Sequence, residues 1–320
     1  MKLSIVVPVY HNELNLPDTI PRLLSLREKI SYELELVFVD DGSKDHSLEI
    51  LLKYQALYPK NILVVKLTRN FGAFAAIQAG FVKATGDCIG VVTADLQDPL
   101  ELFLEMVKNW EKGIKAVFAV RGKRDDPKLS KFFSNIFYFL FRHFAIPDYP
   151  KGGFDFVLID RQVADDINRI YEKNTNLMSL IYWLGYSYVT IPYVRKKREK
   201  GKSKWTFSKR IKLAVDSFVG FSYFPIRLLS ALGLIFALVA FIYGAIVIYK
   251  WWIGNIPVEG FTALMIVVTF TGGIQMIMLG VLGEYLWRVL DQSRKRPMYV
   301  IDQVFDSSTR ANNMTSVENQ

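Results

Sequence analysis

Two long segments without a charged side chain restrict the fold of this chain more than any other feature. The first runs for 22 residues between Arg227 and Lys250, and the second runs for 24 residues from Gly260 to Gly283. An α-helix rises about 1.5 Å per residue, so each helix would be about 33 Å long or more and would cross a hydrocarbon core of about 30 Å. We therefore predict two transmembrane helices within residues 227–287.

The distribution of basic residues predicts the orientation of this hairpin. Ten Lys and Arg residues lie between Arg195 and Lys212, and four more lie between Arg288 and Arg296, whereas the link from Lys250 to Glu259 is nearly uncharged. Basic flanks stay on the cytoplasmic side of a membrane. We expect a multi-pass protein of the cell membrane with residues 1–195 and both termini in the cytoplasm. The net charge of +9 then reflects contact with anionic lipid headgroups, and no nucleic-acid partner is expected.

Residues 1–195 have the pattern of an α/β domain. Five apolar runs rich in Val and Ile are typical of buried strands, and amphipathic helical patterns lie between them. The runs are LSIVVPVY, LELVFVDD, ILVVKLT, CIGVVTAD and KAVFAV. Strands that are apolar on both faces and alternate with helices indicate a mostly parallel sheet covered on both sides.

Polar loops follow the first four of these strands, with the sequences PVYHN, DDGSKD, TRNFGA and ADLQDP. All four would gather at the carboxyl ends of the strands, where open α/β sheets bind their ligands, so we predict a nucleotide and metal site there. The chain has no G-x-G-x-x-G after the first strand and no G-x-x-x-x-G-K-[ST], which argues against a dinucleotide-binding domain and an NTPase P-loop. The single Cys88 excludes an internal disulfide and agrees with a reducing cytoplasm.

The ADLQDP loop contains two carboxylates with different expected roles. Asp98 precedes Pro99 and is typical of a helix N-cap with Pro at the first helical position. Asp95 and Gln97 precede that helix and would offer oxygen ligands to Mg²⁺ or Mn²⁺, which keep waters and accept diphosphate oxygens. The alternative is an ordinary polar turn between a strand and a helix.

The remaining segments predict the connection to the membrane. Residues 196–226 would form a basic loop and, after Trp205, an amphipathic juxtamembrane helix at the interface. Residues 288–320 would form a cytoplasmic basic segment and a disordered polar tail from about Gln303. Asp160 is expected to cap a helix that starts at Arg161.

A specific resemblance emerges when the motifs are taken in order. PVYHNE, DDGSKD, TRNFGAFAAIQAG, ADLQDP, FDFVLIDR, KGKSKW, LGEYLWRV and RKRP resemble the membrane-anchored polyprenyl-phosphate glycosyltransferases of glycosyltransferase family 2, the relatives of dolichyl-phosphate mannose synthases. The motifs extend over nearly the whole chain. The resemblance implies a GT-A fold, a nucleotide-sugar donor, a divalent cation, a polyprenyl phosphate acceptor and inversion at the anomeric carbon.

The resemblance also implies roles for individual residues. The positions that match nucleotide-sugar contacts are Pro8, Tyr10, Asn12, Asp40 and Asp95, with Asn12 standing where the family usually has Glu. The positions that match acceptor-phosphate contacts are Arg121, Lys131, Ser134, Ser203 and Lys204. Asp95 and Gln97 match metal ligands, but Thr93 replaces the first Asp of D-A-D-L-Q-D-P and so removes one carboxylate.

Asp155 matches the position that the family assigns to the catalytic base. A phosphomonoester has its second pKa near ~6, so the acceptor is already largely dianionic at neutral pH and needs little deprotonation. Asp155 is therefore expected either to act as that base or to orient the acceptor or bind the sugar.

Together these predictions describe the inverting transfer of a sugar, with UDP-glucose as the first choice of donor, to undecaprenyl phosphate at the cytoplasmic membrane face. The product would serve the modification of cell-envelope glycans. One alternative is a polysaccharide synthase, although the Q-x-x-R-W motif of such enzymes is not found. Another is a catalytically inactive nucleotide-sugar binding protein, which Thr93 and Asn12 keep open. A homo-oligomer is compatible with the sequence.

Overall fold

One eight-stranded sheet takes seven strands from residues 2–193 and its eighth strand from residues 301–305. The computed structural model describes residues 1–95, 97–122, 128–150, 153–194, 207–253 and 260–307. The strands are β1 (Lys2–Val9), β2 (Glu33–Asp40), β3 (Ile62–Leu67), β4 (Cys88–Val91), β5 (Ala116–Arg121), β6 (Phe154–Asp160), β7 (Tyr188–Tyr193) and β8 (Ile301–Phe305). Each of the five predicted apolar runs contains one strand.

The strand order is β7-β5-β6-β4-β1-β2-β3-β8. Parallel pairs join β1 to both β2 and β4, β2 to β3, and β5 to β7. β6 is antiparallel to β4 and β5, and β8 is antiparallel to β3. The predicted mostly parallel α/β sheet is confirmed, and its parallel strands direct the loops after β1 to β4 toward one edge.

Ten α-helices accompany the sheet within the described ranges. They are α1 (Leu16–Leu24), α2 (Ser47–Leu57), α3 (Ala73–Lys83), α4 (Leu102–Glu111), α5 (Lys128–Phe144), α6 (Arg161–Asn168), α7 (Leu177–Trp183), α8 (Phe207–Phe221), α9 (Phe224–Trp252) and α10 (Phe261–Ser293). Apolar side chains of α1, α2 and α4 form a core on one face of the sheet, and those of α3, α5, α6 and α7 form a core on the other. Both faces are thus covered, as parallel strands require.

Small residues bring α3 close to the centre of the sheet. A Cβ atom added to Gly80 would lie 2.3 Å from Val6 Cγ1, well inside van der Waals contact. The α3 backbone therefore packs directly on β1 and β2, and no larger residue fits at this position without a shift of the helix.

One buried carboxylate joins β1, β2 and the segment before β4. Glu35 on β2 accepts hydrogen bonds from the Ser4 hydroxyl (2.5 Å) and from the amide and hydroxyl of Thr85 (both 2.7 Å). Lys2 Nζ lies 2.9 Å from the same carboxylate. Burial alone would raise the pKa of Glu35, but these bonds outweigh it and lower that pKa below its ordinary value.

The two predicted helix caps have opposite outcomes. Asp160 caps α6 as predicted, because its side chain accepts a hydrogen bond from the Gln162 amide. Helix α4, however, begins at Leu102 with Glu101 at its N-cap position, so the prediction that Asp98 caps it is wrong. The Asp98 carboxylate is instead buried and bonded to side chains of other elements, which are described below.

Helices α9 and α10 form an antiparallel pair. The rings of Phe236 and Phe270 lie 6.0 Å apart, and Met278 Cε lies 3.1 Å from the Cβ position of Gly233. Within the described ranges, α9 is the one helix that is long and apolar enough to cross a membrane, from Phe224 to Lys250. The two predicted transmembrane helices correspond to α9 and α10, and neither is confirmed as a membrane span.

A polar cluster fastens the last turns of α10 to the sheet domain. Arg288 donates to Asp216 Oδ1 on α8 (2.7 Å), to the Asn174 carbonyl before α7 (2.8 Å) and to Glu284 on its own helix (2.9 Å). The side chains of Arg288 and Asp216 are each 15% exposed. This cluster, called the Arg288 cluster below, connects three parts of the chain that are distant in sequence.

The last strand returns to the sheet after both long helices. Gln303 pairs with Lys66 of β3, and Lys66 Nζ contacts Asp302 at 2.6 Å. The sequence predicted a polar tail from about Gln303, whereas the structure continues in β8 to Phe305; residues 308–320 lie outside the described ranges. Strand β3 would otherwise be a sheet edge with unpaired backbone groups, and backbone pairing needs no apolar pattern in the partner.

Candidate active site

The loop after β1 is held by hydrogen bonds to the start of α2. The Tyr10 amide donates to Asn12 Oδ1 (3.0 Å), and the Asn12 amide donates to Ser47 Oγ (2.8 Å). The rings of Tyr10 and His11 stack with centroids 4.2 Å apart. Pro8 lies half-buried near the end of β1. The predicted nucleotide contacts therefore lie together at the end of β1 (Pro8) and in the loop that follows it (Tyr10 and Asn12), and the Asn12 side chain supports the turn itself.

Two adjacent carboxylates lie at the end of β2, Asp40 as its last residue and Asp41 directly after it, and both are almost completely buried. Asp40 accepts long hydrogen bonds from the Ser43 amide (3.3 and 3.4 Å). Asp41 accepts from the amides of Phe71 (2.7 Å) and Gly72 (2.9 Å), which ties this loop to the loop after β3. Burial raises the pKa of both carboxyl groups, although these hydrogen bonds oppose the shift.

The sequence assigned a role to Asp40 and none to Asp41. The structure shows that the two carboxylates have different roles. Asp41 fixes the loop after β3 through its hydrogen bonds, whereas Asp40 is the last residue of β2. Gly42 follows with φ +67°, and its Cβ position would lie 2.6 Å from the Arg69 backbone. Only glycine allows the two loops to approach this closely.

Side-chain hydrogen bonds organise the loop after β4. Thr93 Oγ1 lies 2.7 Å from Asp95 Oδ1 and 3.2 Å from Asp98 Oδ2, so its single O–H is shared between the two carboxylates, with the shorter contact to Asp95. The backbone N–H of Gln97 also points to Asp95 Oδ1, with an N–O distance of 3.5 Å. Asp98 Oδ1 also accepts the Tyr193 hydroxyl at 2.6 Å. Thr93, which replaces a carboxylate of the family motif, thus holds Asp95 in place through its hydroxyl.

A cation and a carboxylate meet at the neighbouring strand ends. Arg121 ends β5 and forms an ion pair and hydrogen bond with Asp155, the second residue of the antiparallel strand β6. Arg121 is also the direct cross-strand neighbour of Tyr193 on β7. Burial alone would lower the pKa of Arg121, but the charge of Asp155 and the neighbouring Tyr193 hydroxyl outweigh it and raise that pKa, so the guanidinium stays charged.

The other predicted acceptor contacts lie on α5 or outside the described residues. Ser134 is half-buried on α5, and Lys131 lies in the same helix. Ser203 and Lys204 lie outside the described residues. The structure therefore brings Arg121 and Asp155 together and joins them to the loop of Asp95, while the roles of Ser134, Lys131, Ser203 and Lys204 stay predictions.

The ADLQDP loop offers few donor atoms for the predicted metal ion. Within the described residues, no group of three His, Cys, Asp or Glu side chains is placed to hold a metal ion. Asp95 and Gln97 offer one carboxylate and one amide, both oxygen donors. This set fits Mg²⁺ or Mn²⁺ bound through one carboxylate, waters and substrate phosphates, and it does not fit an all-protein metal site.

The fold and the site define a class of protein. Polar loops and buried carboxylates lie at the carboxyl ends of β1 to β4, where an open α/β sheet binds nucleotides and related ligands. An Arg–Asp pair lies on the adjacent strands β5 and β6 at the same edge. Such a site suits an enzyme that binds a phosphorylated ligand beside a second anionic one.

Comparison with known proteins identifies the family. The chain belongs to glycosyl transferase family 2, whose model matches residues 4–168. It is 38% identical over 307 residues to a prophage bactoprenol glucosyl transferase homolog of Escherichia coli, with 95% of this chain and 99% of that protein covered. It is 37% identical over 306 residues to an uncharacterized glycosyltransferase of Bacillus subtilis, with 95% and 94% covered.

A similar solved structure is a Pyrobaculum calidifontis mannosyltransferase in complex with GDP-Man and Mn²⁺. It has a TM-score of 0.45 and 18% identity, with 66% of this chain and 60% of that chain covered. The predicted family and the GT-A-like α/β fold are confirmed, and the protein is a glycosyltransferase. The individual site assignments made from the resemblance stay predictions.

Proposed function

We propose that this glycosyltransferase transfers a sugar, with UDP-glucose as the first donor to test, to undecaprenyl phosphate at the cytoplasmic face of the cell membrane. The product would serve the modification of cell-envelope glycans. The observation that carries this proposal is the similarity over nearly the whole chain, long helices included, to proteins named bactoprenol glucosyl transferase. One of them, from Shigella phage SfV, is 36% identical, with 94% of this chain and 98% of that protein covered.

The geometry of Arg121 and Asp155 supports a role in binding the acceptor. A guanidinium forms strong charge-assisted hydrogen bonds with a phosphate, and Asp155 orients the guanidinium at the strand ends. The acceptor dianion would attack the anomeric carbon from the face opposite the diphosphate and invert its configuration. Asp95 and Gln97 are the residues that would hold a divalent cation, whose charge stabilises the leaving diphosphate when it is bound.

The pairing of β8 with β3 supports a hairpin that crosses the membrane twice. Residues on both sides of α9 and α10 belong to one sheet, so the chain must leave and re-enter on the same side of any membrane. The number of crossings is therefore even. Since α9 has the length and composition of a span and is exposed, α10 would have to return across the bilayer.

Helix α5 supports a membrane-bound acceptor. Its exposed apolar side chains Phe133, Ile136 and Phe139 recur every three residues along one side of the helix. At its end, the ring of Phe144 stacks on Phe224 at the start of α9, with centroids 3.8 Å apart. The exposed apolar side of α5 would thus lie against the bilayer surface, beside the strand ends that carry Arg121.

The test is a lipid-linked transfer assay with the full chain in liposomes that contain undecaprenyl phosphate. Labelled UDP-glucose and, in parallel, other nucleotide sugars are added with Mg²⁺ or Mn²⁺, and the label in extracted lipid is counted. We expect metal-dependent label with the wild type and at least a 100-fold loss in Asp95→Asn and Asp155→Asn. The exposed Asp165→Asn is the matched control and keeps its activity.

Two outcomes would contradict the proposal. If no donor gives labelled lipid while UDP still binds, the result would favour the catalytically inactive binding protein that Thr93 suggested. A polymer in place of a single-sugar lipid would favour a polysaccharide synthase. Label with a donor other than UDP-glucose would correct the sugar or nucleotide and leave the acceptor chemistry in place.

A further inference from the structure

Asp98 occupies a central place in the site that the prediction of a helix cap did not anticipate. Its carboxylate is 2% exposed. One of its oxygens lies 3.2 Å from the Thr93 hydroxyl, which also contacts Asp95, and the other accepts the Tyr193 hydroxyl at 2.6 Å. A buried carboxylate costs free energy unless its oxygens are bonded, so these contacts fix the position of the loop.

Tyr193 reaches Asp98 from the opposite side of the site. It ends β7 and is the direct cross-strand partner of Arg121 on β5. Its ring is buried and packs edge-to-face on Phe156 of β6. Arg121 in turn forms an ion pair with Asp155. Tyr193 is thus in contact with both the loop after β4 and the predicted acceptor residues.

The strand order shows what this contact spans. The sheet runs β7-β5-β6-β4, so β5 and β6 lie between the strand of Tyr193 and the loop of Asp98. Three strand spacings correspond to about 14 Å. The hydrogen bond between Tyr193 and Asp98 therefore links β7 to the loop after β4 across the two strands that carry Arg121 and Asp155.

We propose that Thr93, Asp98 and Tyr193 are positioning residues that hold the donor loop with Asp95 at a fixed distance from Arg121 and Asp155. This inference rests on the proposed function, in which Asp95 faces the donor diphosphate and Arg121 faces the acceptor phosphate. Displacement of reacting groups by about 1 Å lowers rates by roughly 100-fold, so such a link controls transfer without touching either substrate. The contact of Thr93 with Asp95 is called the donor arm of this link, and the contact of Tyr193 with Asp98 beside Arg121 is called its acceptor arm.

Near-isosteric substitutions separate the two arms. Thr93→Val removes the hydroxyl that contacts Asp95, and Tyr193→Phe removes the hydroxyl that bonds to Asp98 from the strand position beside Arg121. Tyr188→Phe is the matched control, because it lies on the same strand and its hydroxyl bonds to Tyr182 instead. Asp98→Leu removes the centre of the link, and the two single-hydroxyl variants keep the test decisive if this third variant does not fold.

Three quantities are measured for each variant. They are the Kd for UDP with Mn²⁺ by titration calorimetry, the KM for undecaprenyl phosphate, and kcat. We expect Thr93→Val to raise the UDP–Mn²⁺ Kd by about tenfold with the acceptor KM within twofold. We expect Tyr193→Phe to raise the acceptor KM, or to lower kcat, by about tenfold with the UDP–Mn²⁺ Kd within twofold. The double variant should lose less in kcat/KM than the product of the single losses, because both act through Asp98.

A purely structural role would give a different pattern. Loss of folded protein lowers the apparent kcat in proportion and leaves both the Kd and the KM unchanged. The proposal is overturned if both single variants show that pattern, or if Tyr193→Phe changes only the UDP–Mn²⁺ Kd. Absence of transfer by the wild type would refute the proposed function, and the calorimetric difference between Thr93→Val and Tyr193→Phe would then still decide whether the donor arm exists.

Discussion

Replacement of Arg288 by Met is the sharpest test of how the long helices are fastened to the sheet domain. Methionine keeps the apolar stem of the side chain and its packing, but it removes every N–H donor. The substitution therefore breaks the bonds to Asp216, to the Asn174 carbonyl and to Glu284 without opening a large cavity.

The contacts of Arg288 set the magnitude. Asp216 is 15% exposed, so the loss of its charge-assisted partner costs about 2 kcal/mol. The bond to the Asn174 carbonyl adds about 1 kcal/mol. Glu284 is 41% exposed, and its pair with Arg288 is screened by solvent, so it adds little. We expect a loss of about 3 kcal/mol, which corresponds to a fall in Tm of roughly 6–12 °C for a domain of this size.

The assay is thermal unfolding of the purified full chain in detergent, followed by near-UV circular dichroism. Arg294→Met is the matched control, because Arg294 is an exposed residue one and a half turns further along the same helix end, and its Tm should stay within about 1 °C of the wild type. Asp216→Asn should cost less, at most about 2 kcal/mol, because the bond from Arg288 to the Asn174 carbonyl remains, and the double variant should cost little more than Arg288→Met alone. Equal Tm values for Arg288→Met and Arg294→Met would refute the assignment of stability to the Arg288 cluster.

Three further predictions concern packing, pH and topology. Gly80→Ala should lower the free energy of unfolding by about 1–3 kcal/mol, because its Cβ overlaps a strand side chain. Gly220→Ala should be neutral or stabilising in the same denaturant titration, because its Cβ would make only ordinary van der Waals contacts, the nearest at 3.7 Å. Glu35→Gln should be less stable than the wild type at pH 7. Because folding lowers the pKa of Glu35, the difference in the free energy of unfolding between wild type and variant should be complete above the ordinary pKa of 4.5. It should vanish as the pH falls through the pKa that Glu35 has in the folded protein. A difference that does not depend on pH would contradict the lowered pKa. Finally, Gly260→Cys should react with an impermeant maleimide from outside the cell, and Ser307→Cys should react only after lysis. The one native thiol, Cys88, is buried and should give little background. Labelling of both positions from the same side would contradict a hairpin that crosses the membrane twice.

Much of the fold follows from the sequence because its signals are local. The strands β1 to β5 are continuous apolar runs separated by helical patterns, and that alternation is enough to predict a parallel sheet. The edge at which the loops gather follows from the same rule. The cap at Asp160 was predictable because a capping residue and its helix are adjacent in sequence.

The errors involve contacts between residues that are distant in sequence. Asp98 has the local sequence of a cap, but its partner Tyr193 lies 95 residues away, and no spacing rule links them. Strand β8 has no apolar periodicity that would predict it. It forms because its backbone pairs with β3 and because Asp302 contacts Lys66. The role of Asp41 was equally hidden, since its partners are backbone amides of another loop.

The position of β8 in the sheet also sets the order in which the protein can be completed. The strand that covers β3 is translated only after α9 and α10, so the edge of β3 stays open while both long helices are being made. An open edge is a template for pairing with other chains, and newly made domains are most exposed to such errors before their last element arrives. Synthesis of residues 301–305 is therefore the step that closes the sheet, and a chain truncated before it would leave the ribosome with a permanently aggregation-prone edge.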